Sequence, residues 1–407
     1  MKTLYIKKYS SLLNITLGKQ KLSLLPQPIN GSSFNNYLLR CTLVAWLVAK
    51  AISYKLWMAY RLFPLVSPFN FSFQLPIWVH TFLFVGSVMI MLILFVLPHK
   101  RNLICLLIAI ELLSCTLDQM RWQPWEYQYI ITLLIFLINK RKPKRVVYMM
   151  QLILAATYFY SGIQKLNPAF VPVFWEGMVL KNLLKVQPQV LKLPAILLTG
   201  HSIPWIETFG GLLLLFNKTN RFGAILMIAT HVLILLIIGP QALNYNKVIW
   251  IWNVVMIFYL YLLFIHNKES KKGLSLLLLP GINLPIIILW TVMPAFNFIN
   301  MWPNYLSFSL YSCKSKEMII CINNYKATIN ELNQHFEKDD SRYSIDDEMC
   351  IIKVNNWTLG EMNISPYPEE SCYRKVMDAF KKKYPASEAR FYEYDVPYSI
   401  EGLKELK

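Results

Sequence analysis

Residues 75–97 read Leu75-Pro76-Ile77-Trp78-Val79-His80-Thr81-Phe82-Leu83-Phe84-Val85-Gly86-Ser87-Val88-Met89-Ile90-Met91-Leu92-Ile93-Leu94-Phe95-Val96-Leu97. No Asp, Glu, Lys or Arg interrupts the run. Coiled as a helix it is long enough to cross about 30 Å of hydrocarbon. Similar blocks lie near 38–54, 102–118, 126–139, 146–164, 196–216, 222–239, 248–266 and 274–299. The block at 126–139 is short, as a tilted or re-entrant segment would be. The expected fold is therefore an all-α polytopic membrane bundle of about nine transmembrane helices, followed by a small soluble α+β domain. Composition agrees: 55% of residues are apolar, only 16% are charged, and mean hydropathy is +0.38. A soluble chain carries about 25% charged residues.

The net charge of +18 would suit a nucleic-acid binder, but its placement argues against one. Lys2, Lys7, Lys8, Lys19, Lys21 and Arg40 precede or open the first span. Lys140, Arg141, Lys142, Lys144 and Arg145 lie between the fourth and fifth. Lys218 and Arg221 link the sixth and seventh, and Lys268, Lys271 and Lys272 the eighth and ninth. All fall on one side if residues 1–37 form a basic cytoplasmic segment, as the positive-inside rule requires. Nine crossings then leave residues 300–407 extracytoplasmic. No apolar run followed by a cleavage site marks a signal peptide in the first 35 residues, and Leu4–Leu25 reads as a surface-lying amphipathic helix.

Beyond Asn300 charged residues become frequent. Glu317–Asn323, Cys350–Val354 and Arg390–Val396 read as strands. Pro368-Glu369-Glu370 opens a helix that ends near Lys381–Lys383, with charges placed to suit the helix dipole. Cys41, Cys105 and Cys115 lie in apolar spans. Cys313, Cys321, Cys350 and Cys372 could form two disulfides by any of three connectivities, or remain four thiols. Trp357 to Pro368 is the most distinctive stretch of this domain. The proline-rich but aromatic segment 167–193 reads as an interfacial or re-entrant element, because irregular backbone at membrane depth must be covered by protein.

Ionisable groups inside spans are costly and so mark candidate sites. Glu111 and Asp118 share a face of the third span, and the string Asp118-Gln119-Met120-Arg121-Trp122-Gln123-Pro124-Trp125 follows. Gln151, Ala155, Tyr158, Gly162 and Lys165 share a face of the fifth. Glu207, His231 and Asn253 lie on the sixth, seventh and eighth. With alternating directions, Asp118, Lys165, Glu207, His231 and Asn253 converge on one depth near the outer face, as an intramembrane pocket would require. Each also has a plainer reading. Lys165 could snorkel to the interface, Asp118 and Arg121 could form a structural ion pair, Glu111 could pair with a neighbour, and His231 and Asn253 could bond helices together. The six histidines have no metal-ligand spacing, and no phosphate loop, dinucleotide fingerprint or nucleophile elbow occurs.

Tyr158-Phe159-Tyr160-Ser161-Gly162-Ile163-Gln164-Lys165-Leu166-Asn167 resembles the Tyr-Phe-x-x-Gly-x-x-Lys-Leu motif of the vitamin K-dependent gamma-glutamyl carboxylases and the horizontally transferred transmembrane domain of bacterial relatives. Glu207-Thr208-Phe209-Gly210-Gly211-Leu212-Leu213, then Asn217 to Arg221, then His231, continue the likeness, which covers about residues 38–300. DoxX-like membrane proteins share a similar pattern. The resemblance implies chemistry on a reduced quinone, vitamin K hydroquinone or menaquinol, with Lys165 as the base and His231 as its partner. It suggests a pocket beside Asp118, Arg121, Tyr158, Trp175, Trp205, Glu207, Trp252 and Asn253. A lysine acts as a base only where burial or a nearby cation lowers its pKa, and a carboxylate beside it opposes that. The carboxylases carry a catalytic histidine in the segment corresponding to Asp118–Trp125, where this chain has none, and their C-terminal region is far longer. Three readings result: a quinol-dependent oxygenating or carboxylating enzyme, a non-catalytic DoxX-like quinone-binding subunit, or an envelope scaffold. Membrane lipids, and a protein or peptide held by residues 300–407, are the expected partners.

Overall fold

The structure is a computed structural model and describes residues 31–69, 75–267, 281–322, 330–336, 350–396, 398 and 402–406. Helix α1 spans Gly31–Ile52, short α2 Tyr54–Met58, α3 Ile77–Val96, α4 Arg101–Leu117, α5 Pro124–Ile138 and α6 Pro143–Gln164. After a π-helical segment, Phe170–Leu183, come α7 (Pro188–Leu191), α8 (Pro194–Leu215), α9 (Asn220–Ile238) and α10 (Lys247–Leu260). The last extends to His266 in wider turns. Helix α11, Leu284–Ile287, continues through a wide and then a tight turn to Ile299. Prolines at the starts of α5, α6 and α8 occupy the position where their missing N–H costs nothing.

Among the described residues four helical stretches are long and apolar enough to cross a membrane: α3, α6, α9 and Lys247–His266. Pro124–Ile138 and Leu284–Ile299 are apolar but shorter. Of the four, α6 is the most enclosed, whereas α3 and α9 turn much apolar surface outward, including Phe82, Met89, Phe222 and Leu236. That is how a central and two peripheral helices would look in lipid. The expected Leu4–Leu25 helix lies outside the described residues, as do residues 274–280 of the expected ninth span. Helix α1 begins at Gly31, so the last residues of the expected basic segment 1–37 are helical.

The links gather at two ends. At one, Lys140 Nζ donates to the His99 carbonyl (2.9 Å), Arg40 Nε to that of Phe95 (2.9 Å), and Asn139 Nδ2 to Asn283 Oδ1 (2.7 Å). At the other sits the C-terminal domain, a four-stranded antiparallel sheet in the order β2-β1-β3-β4. Its strands are β1 (Glu317–Ile322), β2 (Cys350–Lys353), β3 (Ala389–Tyr394) and β4 (Lys404–Glu405). Helices α12 (Val354–Met362) and α13 (Glu370–Lys383) accompany them. The strands and α13 lie close to their expected positions, whereas α12 and β4 had no counterpart in the sequence reading.

Helix α12 explains the Trp357 stretch. Trp357 is fully buried and its indole donates to Glu361 Oε2 (3.0 Å). The same carboxylate receives the backbone N–H groups of Leu62 and Phe63, in the link after α2. Lys375 Nζ caps the carbonyls of Ser67 and Pro68 (3.0 and 2.7 Å), and Asn363 Nδ2 donates to that of Ile52 (3.1 Å). Charge-assisted bonds of this kind are about twice as strong as neutral ones, and they seat the domain on the bundle. All seven cysteines are free thiols, so the four of the C-terminal domain are unpaired.

Candidate functional site

Helices α6 and α8 cross at glycine. A Cβ on Gly162 would lie 2.4 Å from the Thr208 backbone nitrogen, and one on Gly211 would lie 2.5 Å from that of Phe159. Only hydrogen fits there, the small-residue packing that membrane helices use for close approach. The crossing brings two charges together: Lys165 Nζ donates to Glu207 Oε2 at 2.5 Å and to Ser161 Oγ at 2.8 Å, and Ser161 Oγ donates to the same carboxylate at 3.0 Å. Ser161 and Lys165 are four residues apart, so both face Glu207. An ammonium has three donors, and the third is without a partner among the described residues.

A second unit faces the same space. Asn253 Nδ2 donates to the Ile249 carbonyl (2.8 Å), so its Oδ1 is the atom turned to His231 Nδ1, 2.6 Å away. With a neutral ring, the proton therefore sits on Nδ1 and leaves Nε2 as an acceptor. The Tyr158 hydroxyl supplies the matching donor at 2.6 Å. Tyr158, Ser161 and Lys165 share one face of α6, which places the two units in series along it.

Between them lies a small cavity of ≈ 70 Å³. Ile234, Ile249, Trp252 and Met256 supply apolar walls, and Phe308, Leu310 and Tyr311 close it from the chain that follows the last helix. That closing segment turns sharply, with Phe308, Tyr311 and Cys313 all at positive φ. It is tied down by Asn167, whose Nδ2 donates to the Ser312 carbonyl (2.7 Å) while its Oδ1 caps the N–H groups of Ala169 and Phe170. The boundary near Asn300 is thus not a boundary of the site. Burial holds the Tyr311 phenol well above its usual pKa and pushes the Cys313 thiol up to about 12.

Tyr158, Lys165, Glu207, His231, Trp252 and Asn253 all line this cavity. Asp118 and Arg121 do not. They form a separate cluster in which Arg61 reaches Asp118 Oδ2 (2.7 Å) and Arg121 lies 3.7 Å from it. The guanidinium of Arg121 is spent on the carbonyls of Leu56, Trp57 and Ser114, the Ser114 hydroxyl and His80 Nδ1. Trp175 is also elsewhere: its ring packs on Gly200 and its Nε1 donates to the Ile196 carbonyl (3.0 Å), fastening the π-helical segment to α8. Trp205 is half exposed and stacks on Phe209. Glu111 pairs with Lys50 at 2.8 Å, remote in sequence.

Sequence reading missed Phe308, Leu310 and Tyr311, which it assigned to a separate soluble domain. It also missed Lys50 and Glu126, which sit near helix ends where charges are ordinary. The available signal was Lys50 flanked by Trp46 and Trp57 in an otherwise apolar stretch. Among the described residues no group of His, Cys, Asp and Glu is arranged to hold a metal ion. No family model, curated protein or solved structure matches the chain.

Proposed function

We propose that the chain is an integral membrane protein that crosses the bilayer nine times, with basic links in the cytoplasm and residues 300–407 outside, and that its cavity binds a reduced quinone such as vitamin K hydroquinone or menaquinol. The observation that carries this reading is the pairing of two acid–base units, Lys165–Ser161–Glu207 and Tyr158–His231–Asn253, on one apolar-walled cavity. An apolar pocket with a few convergent polar groups suits a flat, greasy ligand with two oxygens. Trp252, Phe308 and Met256 would hold the ring and tail, and Lys165 and Tyr158 would meet the oxygens. A hydroquinone supplies two protons and two electrons when it is oxidised.

The chain's own groups set the direction of proton movement. With Lys165 as an ammonium paired to Glu207, its Nζ is a donor. To act as a base it must first pass a proton to Glu207 Oε2, at 2.5 Å, giving a neutral pair. His231 Nε2 can take the Tyr158 proton, with Asn253 Oδ1 steadying the charged ring. Phe308, Leu310 and Tyr311 wall one side of the cavity. Turnover by oxygenation or carboxylation uses the neutral pair; a non-catalytic quinone-binding subunit uses the ammonium as a donor. The ion pair itself favours the second.

The test is quinone binding and turnover by the purified protein in lipid nanodiscs, beside Lys165→Ala. Oxidised or epoxidised product that disappears in the variant supports an enzyme. Tight binding without product supports the carrier. Absence of both removes the quinone reading and leaves a membrane scaffold.

A further inference from the structure

A second buried charge cluster lies on α1, α4 and α5, apart from the cavity. Lys50 Nζ donates to Glu111 Oε2 at 2.8 Å and lies 4.0 Å from Glu126 Oε1. The Trp46 indole donates to Glu126 Oε2 at 2.6 Å, and Nζ sits 3.1 Å from the centroid of the Trp57 ring. Lys50, Glu111 and Glu126 are each at most 1% exposed. Cys115 on α4, Arg121 in the following link, and Tyr129 on α5 are the other titratable or charged groups facing them.

The hydrogen bonding does not close. Lys50 and Trp46 satisfy one oxygen of each glutamate, Oε2 in both cases. Among the described residues Glu111 Oε1 and Glu126 Oε1 have no donor, although both carboxyls approach the one ammonium, at 2.8 and 4.0 Å. The Trp125 indole N–H and the Tyr129 hydroxyl, fully buried on the same helix as Glu126, are also unpartnered among the described residues. Two carboxylates gathered at one ammonium repel each other unless one of them carries a proton. In a low-dielectric interior two carboxylates sharing one ammonium are costly to keep both charged; the spare positive charge of Arg61 and Arg121 over Asp118 is spent on backbone carbonyls of the neighbouring cluster. One further positive charge resolves both faults.

We propose that Glu111 and Glu126 form an intramembrane proton-binding site that holds one proton between their Oε1 atoms beside a charged Lys50. The proton turns one carboxyl into a donor for the other, and the cluster becomes neutral. Lys50 occupies the aromatic recess of Trp46 and Trp57, where a cation is stabilised by the ring faces. The site is therefore a single-proton store, separate from the groups that line the cavity.

The test is infrared spectroscopy of the full chain in lipid at neutral pH, read as wild type minus variant. The carboxylic-acid C=O stretch of a protonated side chain is expected in the wild type. Its intensity should fall by one carboxyl in E126Q and equally in E111Q, because either glutamine leaves a single carboxylate paired with Lys50. Loss of no such intensity in either variant overturns the proposal. Should one variant fail to fold, the other gives the same reading, and the unmodified protein supplies a third. If its thermal stability depends on sodium when an organic cation replaces it at constant ionic strength, and the band is absent, a metal ion is the occupant and the proton site is overturned. A band present and stability indifferent to sodium is the expected result.

Discussion

The cavity at Lys165 and the cluster at Arg121 contain similar ingredients and spend them differently. Arg121 uses its guanidinium on three carbonyls, a hydroxyl and a histidine ring, while Asp118 is held by two cations and caps Met120 N–H. Nothing is left over. Lys165 and Tyr158, by contrast, meet a space lined with apolar side chains, and the ammonium keeps a hydrogen to offer. A buried charge whose valences all close on backbone is a fastener. One that stops short of closing, at a cavity, is positioned to meet something else.

The widest gap between the two should appear in stability. Arg121→Ala is expected to cost about 3–5 kcal/mol, since it removes one of the two cations at buried Asp118 and leaves three buried carbonyls without their donor. Thermal unfolding in detergent would register it, and a cost under about 1 kcal/mol would break the distinction. Next comes the α6–α8 crossing. Gly162→Ala should cost about 1–3 kcal/mol through overpacking and should also impair ligand binding, because it pushes Lys165 away from Glu207. Gly86→Ala, with nothing within 4 Å of the new methyl, should be neutral or stabilising by up to about 1 kcal/mol. Equal effects at the two glycines would refute the close-packing argument.

Lys165→Ala should lose ligand binding or turnover while costing only about 1 kcal/mol of stability, because water entering the cavity can solvate Glu207. A loss as large as that of Arg121→Ala would make Lys165 a fastener after all. The smallest effect belongs to the surface network of the C-terminal domain. Hydrogen bonds from Arg374, and then Lys316, hold the Glu370 carboxyl down to about 2. An unfolded glutamate titrates near about 4.3, so this group adds stability above that pH and loses it as pH falls towards 2. Glu370→Gln should flatten the acid limb of the stability curve over that window, with a small, solvent-screened loss of stability at neutral pH that vanishes as pH falls towards 2. Burial raises Glu317 and Glu369, which contribute with the opposite sign as pH rises above the unfolded value.

How much was legible follows from the same contrast. Tyr158, Lys165, Glu207, His231 and Asn253 could be brought together from sequence because each lies on a long apolar helix. Spacing fixes the face and alternating direction fixes the depth. Asp118 met the same criteria and is elsewhere, because α4 ends at Leu117 and the chain turns towards the link after α2. Depth alone does not say which side of a helix packs against which neighbour. Lys50, Glu111 and Glu126 meet across 61 and 15 positions of sequence, and no local pattern encodes such a meeting. Trp357 and Glu361 had no interpretable role until the backbone of Leu62 and Phe63 was seen beneath them.

Phe308, Leu310 and Tyr311 give the cavity a wall drawn from beyond the final helix. Chains emerge from synthesis N-terminus first and fold in that order. Lys165, Glu207, His231 and Asn253 can therefore assemble while the pocket is still a cleft open on one side. The remaining side is walled only when the last segment has docked through Asn167. A chain arrested before Tyr311 would display the same charges on a cleft open on one side.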